Sequence, residues 1–377
     1  MNILSFIYLK MISRGNLRAI LVGIFFFFLM SSLLFWNLSV IHQIFDYKSK
    51  VSLIKISLYF HIIYYIIMCV SYHISIRLFK IVTYLFFLFL GFLINLSLGL
   101  LVVIFYGKKN LSPNINIYIH FGTGIILSMI GIYNERNIRF DKCQIYSKKM
   151  KGKLIICQVS DMHLGIVYGK KFVRKLVNKL KEEKFDILVI TGDICEGDLG
   201  KIKMKEDMLE PLKEIKVPKF YVTGNHEYFS DINETLNMIK KVGIKHLSNE
   251  SIIYNNQINL IGIDYENPFK NQRKKLKEII LNNNSSLPNI CICHVPLFKP
   301  KDLIEYNVFL FLCGHTHGAQ MIPTNIYIYL KSRVLNGLYN YLNKYFVYCA
   351  SGVGTSEPPM RVVSRANIGL ITIIGEK

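Results

Sequence analysis

The chain has 377 residues, of which 51% are apolar, with a mean hydropathy of +0.31 and a formal charge of +21. That length allows two or three domains, and so apolar a composition excludes a purely water-soluble chain, so part of it must face lipid. Of the eight cysteines, Cys69 lies in an apolar span and the other seven lie from Cys143 onward, an odd set that is no disulfide framework and that suits a reducing compartment.

Residues 1 to 150 carry four apolar segments, at 19–41, 52–74, 81–106 and 115–133. A spanning helix needs about 20 predominantly apolar residues, so these predict a multi-pass transmembrane domain of four helices. The first segment, centred on Phe25-Phe26-Phe27-Phe28, is too long for a signal peptide's apolar region of about 7 to 15 residues and is read as a permanent anchor. Trp36 and Tyr106 stand near segment ends, where interfacial aromatics are favoured. His61 and Asn95 lie deeper, where hydrogen bonding between helices accounts for them.

With four crossings, one side collects ten Lys and Arg and the other five. The positive-inside rule then places both termini, and with them residues 151–377, in the cytoplasm of a cell-membrane protein. Residues 1–150 hold 15 basic and 3 acidic side chains, and the remainder 31 and 22. The excess in the second part suits anionic headgroups. It would also attract nucleic acid, but no module of interleaved basic and aromatic residues accompanies it.

From Lys151 the pattern changes to short apolar runs alternating with amphipathic stretches, the signature of α/β layering. Strands are predicted at 154–159, 186–190, 220–223, 244–247, 251–254, 259–263, 289–293, 308–313, 345–350 and 368–374. Helices are predicted at 173–180, at 201–216 ahead of Pro218, from an Asp231 cap to about Val242, and at 272–280.

Five strand ends carry polar clusters: Asp161-Met162-His163, Gly192-Asp193, Gly224-Asn225-His226-Glu227, Cys293-His294 and Gly314-His315-Thr316-His317. Open α/β sheets place ligands at such ends. Residues i and i+2 of an extended chain point the same way, so Asp161 with His163, and His315 with His317, are each expected to present two donors to one side. With Asp193, Asn225 and His294 these make four imidazoles, two carboxylates and one amide. Seven donors exceed one tetrahedral site and suit two cations, and imidazole with oxygen favours Mn, Fe or Zn. Two such ions about 3.5 to 4 Å apart generate hydroxide from a water between them and clamp a phosphoryl group. Gly192, Gly224, Gly314 and Gly318 allow tight turns beside the ligands.

These blocks resemble those of the calcineurin-like metallophosphoesterase superfamily, over about residues 153–377. The resemblance implies a four-layer αββα sandwich, with Asp161, His163, Asp193 and His317 on one metal and Asp193, Asn225, His294 and His315 on the other. It implies that His226 protonates the leaving oxygen or steadies the transition state. The stretches His317-Gly318-Ala319-Gln320 and Ala350-Ser351-Gly352-Val353-Gly354 are more similar to membrane-associated bacterial phosphoesterases than to protein phosphatases. Protein phosphatases have Gly-Asp-x-x-Asp-Arg-Gly, whereas this chain has Gly192-Asp193-Ile194-Cys195-Glu196-Gly197. Glu196 replaces the aspartate that orients the catalytic histidine, and the phosphate-gripping arginine is absent. Arg361 and Arg365 are its candidate substitutes. The expected activity is membrane-anchored hydrolysis of a phosphoester or pyrophosphate in a lipid or envelope precursor. A nuclease or cyclic-nucleotide phosphodiesterase of the same superfamily, or a non-catalytic membrane sensor, are the alternatives.

Overall fold

The structure, a computed structural model, describes residues 74–107, 111–165, 167–196, 207–229, 232–266, 270–282, 286–296, 300–332, 334–356 and 358–376, with scattered positions before 74. The chain divides into two compact units, one comprising Met1–Tyr133, Leu199–Ile202 and Glu357–Val362, the other Asn134–Asp198, Lys203–Ser356 and Val363–Lys377.

In the first unit, α1 (Ile76–Val102) continues through a π-helical turn at Val103–Gly107, and α2 covers Pro113–Arg136. Both are long and apolar enough to cross a bilayer, the stretches being 31 and 23 residues. The other two predicted spans, 19–41 and 52–74, lie outside the described residues apart from scattered positions. Small residues bring the two helices together: a Cβ at Gly99 would meet the His120 carbonyl oxygen at 2.6 Å, and one at Gly124 would meet Leu96 at 3.0 Å. Asn95 Nδ2 donates to Ser128 Oγ at 3.0 Å, so this buried amide is used between helices.

The second unit is built on two mixed six-stranded sheets. The first, in the order β1-β12-β2-β3-β4-β5, uses Arg139–Ser147, Asn367–Gly375, Lys153–Val159, Ile187–Thr191, Lys219–Val222 and Ile244–His246. The second, β10-β11-β9-β8-β7-β6, uses Gly337–Tyr341, Tyr345–Cys349, Val308–Cys313, Asn289–Cys293, Ile258–Ile263 and Glu250–Tyr254. β2 to β5 run parallel, as do β7, β8, β9 and β11. Their carboxyl ends therefore deliver all five polar clusters to one end of the unit.

Three apolar cores separate the layers. Leu154, Ile156, Val189 and Val222 of the first sheet pack on Leu260, Ile292, Leu310 and Leu312 of the second. The outer face of the first sheet is covered by α3 (Lys170–Leu180) and α4 (Ile232–Lys241). Val173, Leu176, Val177 and Leu180 of α3 fall at helical spacing and are all buried. The outer face of the second sheet is covered by α5 (Lys270–Asn282) and α6 (Pro300–Glu305), through Leu276 and Leu303.

The structure differs from the sequence reading at several places, among them β10 and α6, for which no element was predicted. The sheet begins upstream of residue 151: β1 pairs in parallel with β12 along its whole length. β1 is an edge strand of mixed polarity, Arg-Phe-Asp-Lys-Cys-Gln-Ile-Tyr-Ser, whose partner lies over 200 residues away, so no local apolar run marks it. The helix predicted at 201–216 is, in its described part, only a 3-10 turn at Glu210–Glu214. Pro211, which lacks an N–H and clashes inside an α-helix, stops it. A further helix, α7 (Thr324–Ser332), occupies a stretch for which no element was predicted. Asp231, the predicted cap of α4, lies outside the described residues.

Ile145 of β1 is 2% exposed and lies in the core between the sheets. Ile145→Ala should therefore lower stability by about 2–5 kcal/mol, read as a shifted urea midpoint of the detergent-solubilised chain by tyrosine fluorescence. An unmoved midpoint would separate β1 from the sheet core.

Candidate metal centre

The carboxyl ends of β2, β3 and β4 meet those of β8 and β9, and the polar clusters meet with them. Asp161, His163 and His317 form one group whose ligand atoms lie within 4.8 Å of one another, and Asp193, His294 and His315 form a second. Asp193 stands between the groups: its Oδ2 is 3.0 Å from His294 Nε2 and 3.8 Å from His163 Nε2. His163 and His317 bring their Nε2 atoms to 3.1 Å, and His294 Nε2 lies 3.2 Å from His315 Nδ1. His317 Nε2 is 3.4 Å from Asp161 Oδ1.

The backbone reaches this arrangement through turns, not through extended chain. Asp161, His163, Asp193, His315 and His317 have φ of 53°, 46°, 51°, 70° and 52°. Asp161 and His163 do fall in one ligand group, but by left-handed turns past the strand end and not by strand alternation, whereas His315 and His317, expected on one side, fall in different groups. Each such non-glycine residue costs about 1–2 kcal/mol and persists only where its surroundings fix it.

Those surroundings are specific. Glu227, fully buried, accepts from four backbone N–H groups: Ile194 at 2.7 Å and Cys195 at 3.2 Å on Oε1, Gly224 at 2.7 Å and Asp193 at 3.0 Å on Oε2. One carboxylate thereby ties the end of β3 to the end of β4. The approach is so close that a Cβ on Gly224 would meet the Asp193 backbone nitrogen at 2.6 Å and collide with its carboxylate. Asp161 is held from two sides: Gly354 N–H donates to its carbonyl at 2.9 Å, and His315 N–H donates to its carboxylate at 3.2 Å.

Hydrogen bonds also set the imidazole tautomers. His294 Nδ1 lies 2.7 Å from the Thr191 carbonyl, which can only accept, so Nδ1 carries a proton and Nε2 faces the cluster. His226 Nδ1 likewise donates to the Glu196 carbonyl at 3.1 Å, and its own N–H donates to Asp193 Oδ1 at 2.9 Å. The Glu196 carboxylate goes elsewhere, to His163 Nδ1 at 3.1 Å. Glu196 thus contacts His226 through its backbone and His163 through its side chain.

Of the two arginines considered for the substrate, Arg365 is exposed. Arg361 is fully buried and belongs to the helical unit, where its N–H donates to the Gly131 carbonyl at 2.9 Å. Glu227 and Thr191 were not singled out from the sequence. Glu227 did stand in the Gly-Asn-His-Glu run, the one signal that pointed toward it.

Charge is balanced within the cluster. Burial pushes the His163 imidazole down, but Glu196 foremost, with Asp193 and Asp161, outweighs burial and holds it at about 9. Burial also opposes protonation of His294, and Asp193 beside it lifts it to about 10. Burial would raise the Asp193 carboxyl, yet His294 and then His226 hold it well below the usual carboxylate range.

The donor set fits divalent cations. Imidazole nitrogens lying 3.1 and 3.2 Å from one another, carboxylates between them, and a buried Asn225 Oδ1 that accepts no hydrogen bond are groups a cation would satisfy. Two mixed sheets with buried His and Asp ligand clusters at their strand ends define an α/β metal-dependent hydrolase. The family model of the calcineurin-like phosphoesterases matches residues 154–319. An uncharacterized metallophosphoesterase of Aquifex aeolicus is 31% identical over 260 residues, 67% of this chain and 98% of its own. One from Helicobacter pylori is 30% identical over 237 residues, 61% of this chain and 62% of its own, so the chain spans less than two thirds of that relative. A transmembrane protein with metallophosphoesterase domain from Bos taurus is 28% identical over 230 residues, 57% of this chain and 52% of its own. The chain belongs to the calcineurin-like metallophosphoesterase family.

Replacing Glu227 by Gln turns an acceptor toward backbone donors and leaves up to two N–H groups unsatisfied, at about 1–3 kcal/mol each. Glu227→Gln should lower the thermal midpoint of the metal-free protein and weaken its metal binding together; a variant that lost neither would show the four bonds to be dispensable. Because His163 holds its proton up to about 9 and His294 up to about 10, a cation must displace protons to bind, and its affinity should rise as pH rises toward those values. Calorimetric titration with Zn²⁺ in buffers of differing ionisation enthalpy should register proton release near neutral pH, and an uptake of protons would contradict the assignment.

Proposed function

We propose that this chain is a membrane-anchored phosphoesterase of the membrane-associated bacterial branch, hydrolysing a phosphoester or pyrophosphate bond in a lipid or envelope precursor. The observation that carries this reading is the union, in one chain, of the two ligand clusters with two helices long and apolar enough to cross a bilayer. The apolar segments 19–41 and 52–74 support two further spans, and the distribution of Lys and Arg supports a catalytic unit at the cytoplasmic face. Tethering an enzyme to the membrane that carries its substrate raises their effective concentration.

In this reading Asp161, His163, Asp193 and His317 hold one cation, Asp193, Asn225, His294 and His315 the other, and Mn, Fe or Zn suit the donors. When bound, such a pair supplies a water ionised near neutral pH and charge neutralisation for the phosphoryl oxygens. The chain's own residues do the rest. His226, fixed through Nδ1–H to the Glu196 carbonyl, passes a proton from Nε2 to the leaving oxygen as the bond from phosphorus to that oxygen breaks. Glu196 orients the His163 ring through Nδ1. Glu227 fixes Asp193 and, through Gly224, the Asn225 loop.

Detergent-solubilised full-length protein stripped of metal should be inert toward bis(p-nitrophenyl) phosphate and recover with Mn²⁺. His226→Ala should retain its metal but lose about 10²–10⁴-fold in kcat. Asp193→Asn should lose both metal and turnover. Metal bound without turnover on any ester would favour the sensor. Turnover of soluble esters but of no lipid phosphate would remove the lipid substrate, and tight, steeply salt-dependent DNA or RNA binding would favour a nuclease.

A further inference from the structure

The helix α7 has its polarity inverted. Asn325, Ile328 and Ser332, spaced as one helix face, are half-buried against the sheet unit, whereas Ile326, Tyr327, Tyr329 and Leu330 are 59%, 65%, 55% and 73% exposed. A surface helix in water buries its apolar stripe and shows its polar one. Here two aliphatic and two aromatic side chains stand outward on nine residues of helix, a concentration of apolar surface that marks an interaction face.

The chemistry of the stretch says what covers that face. No Asp or Glu occurs between Glu305 and Glu357, while Lys331, Arg333 and Lys344 fall within it. Leu342, 73% exposed in the turn between β10 and β11, adds a further apolar side chain to the same acid-free run. Tyr beside Leu and Ile, followed at once by Lys and Arg, is the composition of a helix lying in the interface of an anionic bilayer. A protein partner matched to basic residues needs acidic side chains around an apolar centre. A lipid surface offers phosphate above hydrocarbon over the whole face.

The helix is also an outgrowth of the metal centre. It starts seven residues after His317, by way of a 3-10 turn at His317–Ala319. The two ends of the excursion are pinned together by a hydrogen bond from Thr316 Oγ1 to the Leu335 carbonyl, and Ser364 Oγ donates to the His317 carbonyl at 2.8 Å. We propose that α7 docks on the anionic membrane surface, burying Ile326, Tyr327, Tyr329 and Leu330 at the boundary of headgroup and acyl chain, and so holds the His315–His317 loop against lipid phosphates. This narrows the substrate to one whose phosphorus stays at the headgroup level of the bilayer. It rests on the reading of an anchored phosphoesterase for that substrate, but not for the docking itself.

The test uses full-length protein reconstituted in phosphatidylcholine vesicles with about one part in four phosphatidylglycerol, with Trp36→Phe and a new tryptophan from either Tyr327→Trp or, as control, Tyr146→Trp on β1. Emission from position 327 should shift to the blue and be quenched severalfold by lipids brominated on their acyl chains, and emission from 146 should not. Adding Ile326→Ser and Leu330→Ser should abolish the quenching at 327 while leaving turnover of bis(p-nitrophenyl) phosphate at its wild-type rate. Omitting phosphatidylglycerol should weaken the quenching, by about fivefold in affinity for each basic side chain that reaches an anionic headgroup. Quenching at neither position, or equally at both, overturns the proposal. So does a blue shift at 327 without bromine quenching, which assigns the face to another copy or to another segment of this chain. Protein inert toward the ester yet quenched at 327 fails as a phosphoesterase and keeps the docking surface; active, unquenched protein does the reverse.

Discussion

The centre depends on one buried carboxylate. Glu227 gathers the N–H groups of Asp193, Ile194, Cys195 and Gly224. An ionised carboxylate away from water is expensive unless its oxygens are satisfied, and four donors on two oxygens meet that demand. In return, the loops after β3 and β4 are fixed at a separation that no side chain larger than glycine at 224 would tolerate. Asp193, which stands between both ligand groups, and Asn225, whose Oδ1 accepts nothing from the protein, both inherit their positions from this contact.

Around it, five donors sit on left-handed backbone. A chain does not adopt that conformation repeatedly by preference, and the compensation lies in the ladders that end just before each turn and in bonds such as Val353 N–H to the Ser160 carbonyl at 3.0 Å. Gln158 extends this support across the layers, donating to Thr191 Oγ1 at 2.9 Å in its own sheet and to the Cys313 carbonyl at 2.8 Å in the other. The two sheets thus meet through a polar link directly beneath the ligands, where an apolar core alone would permit sliding. Donors held in place before a cation arrives need little reorganisation to take it.

The α/β class and the strand ends were legible because buried strands are continuous apolar runs, as in Ile187–Thr191 and Asn289–Cys293, each followed within two residues by a polar ligand, Asp193 or His294. The edge strands β1 and β10 were not, since half-exposed residues of mixed polarity carry no such run and their pairing is long-range or tied to a hairpin. The helix α7 escaped for a related reason. Thr-Asn-Ile-Tyr-Ile-Tyr-Leu-Lys-Ser has the alternation of a strand, and its outward apolar face answers to something other than the core of the sheet unit.

The sequence by itself determined which donors exist and that each follows a strand, because those are local properties of composition and spacing. It also supplied the candidate donors, four imidazoles, two carboxylates and one amide, a set consistent with two cations. Only the tertiary structure decided how the sites are supported: that the Glu196 side chain turns to His163 while its carbonyl holds His226, that Thr191 fixes the tautomer of His294, and that Glu227 joins two loops. The physical reason is that these contacts link residues some 30 to more than 100 positions apart, brought together by a sheet order that runs β12-β2-β3-β4 beside β11-β9-β8-β7. Local propensity governs where a chain turns; which turns face one another is set by the packing of the sheets.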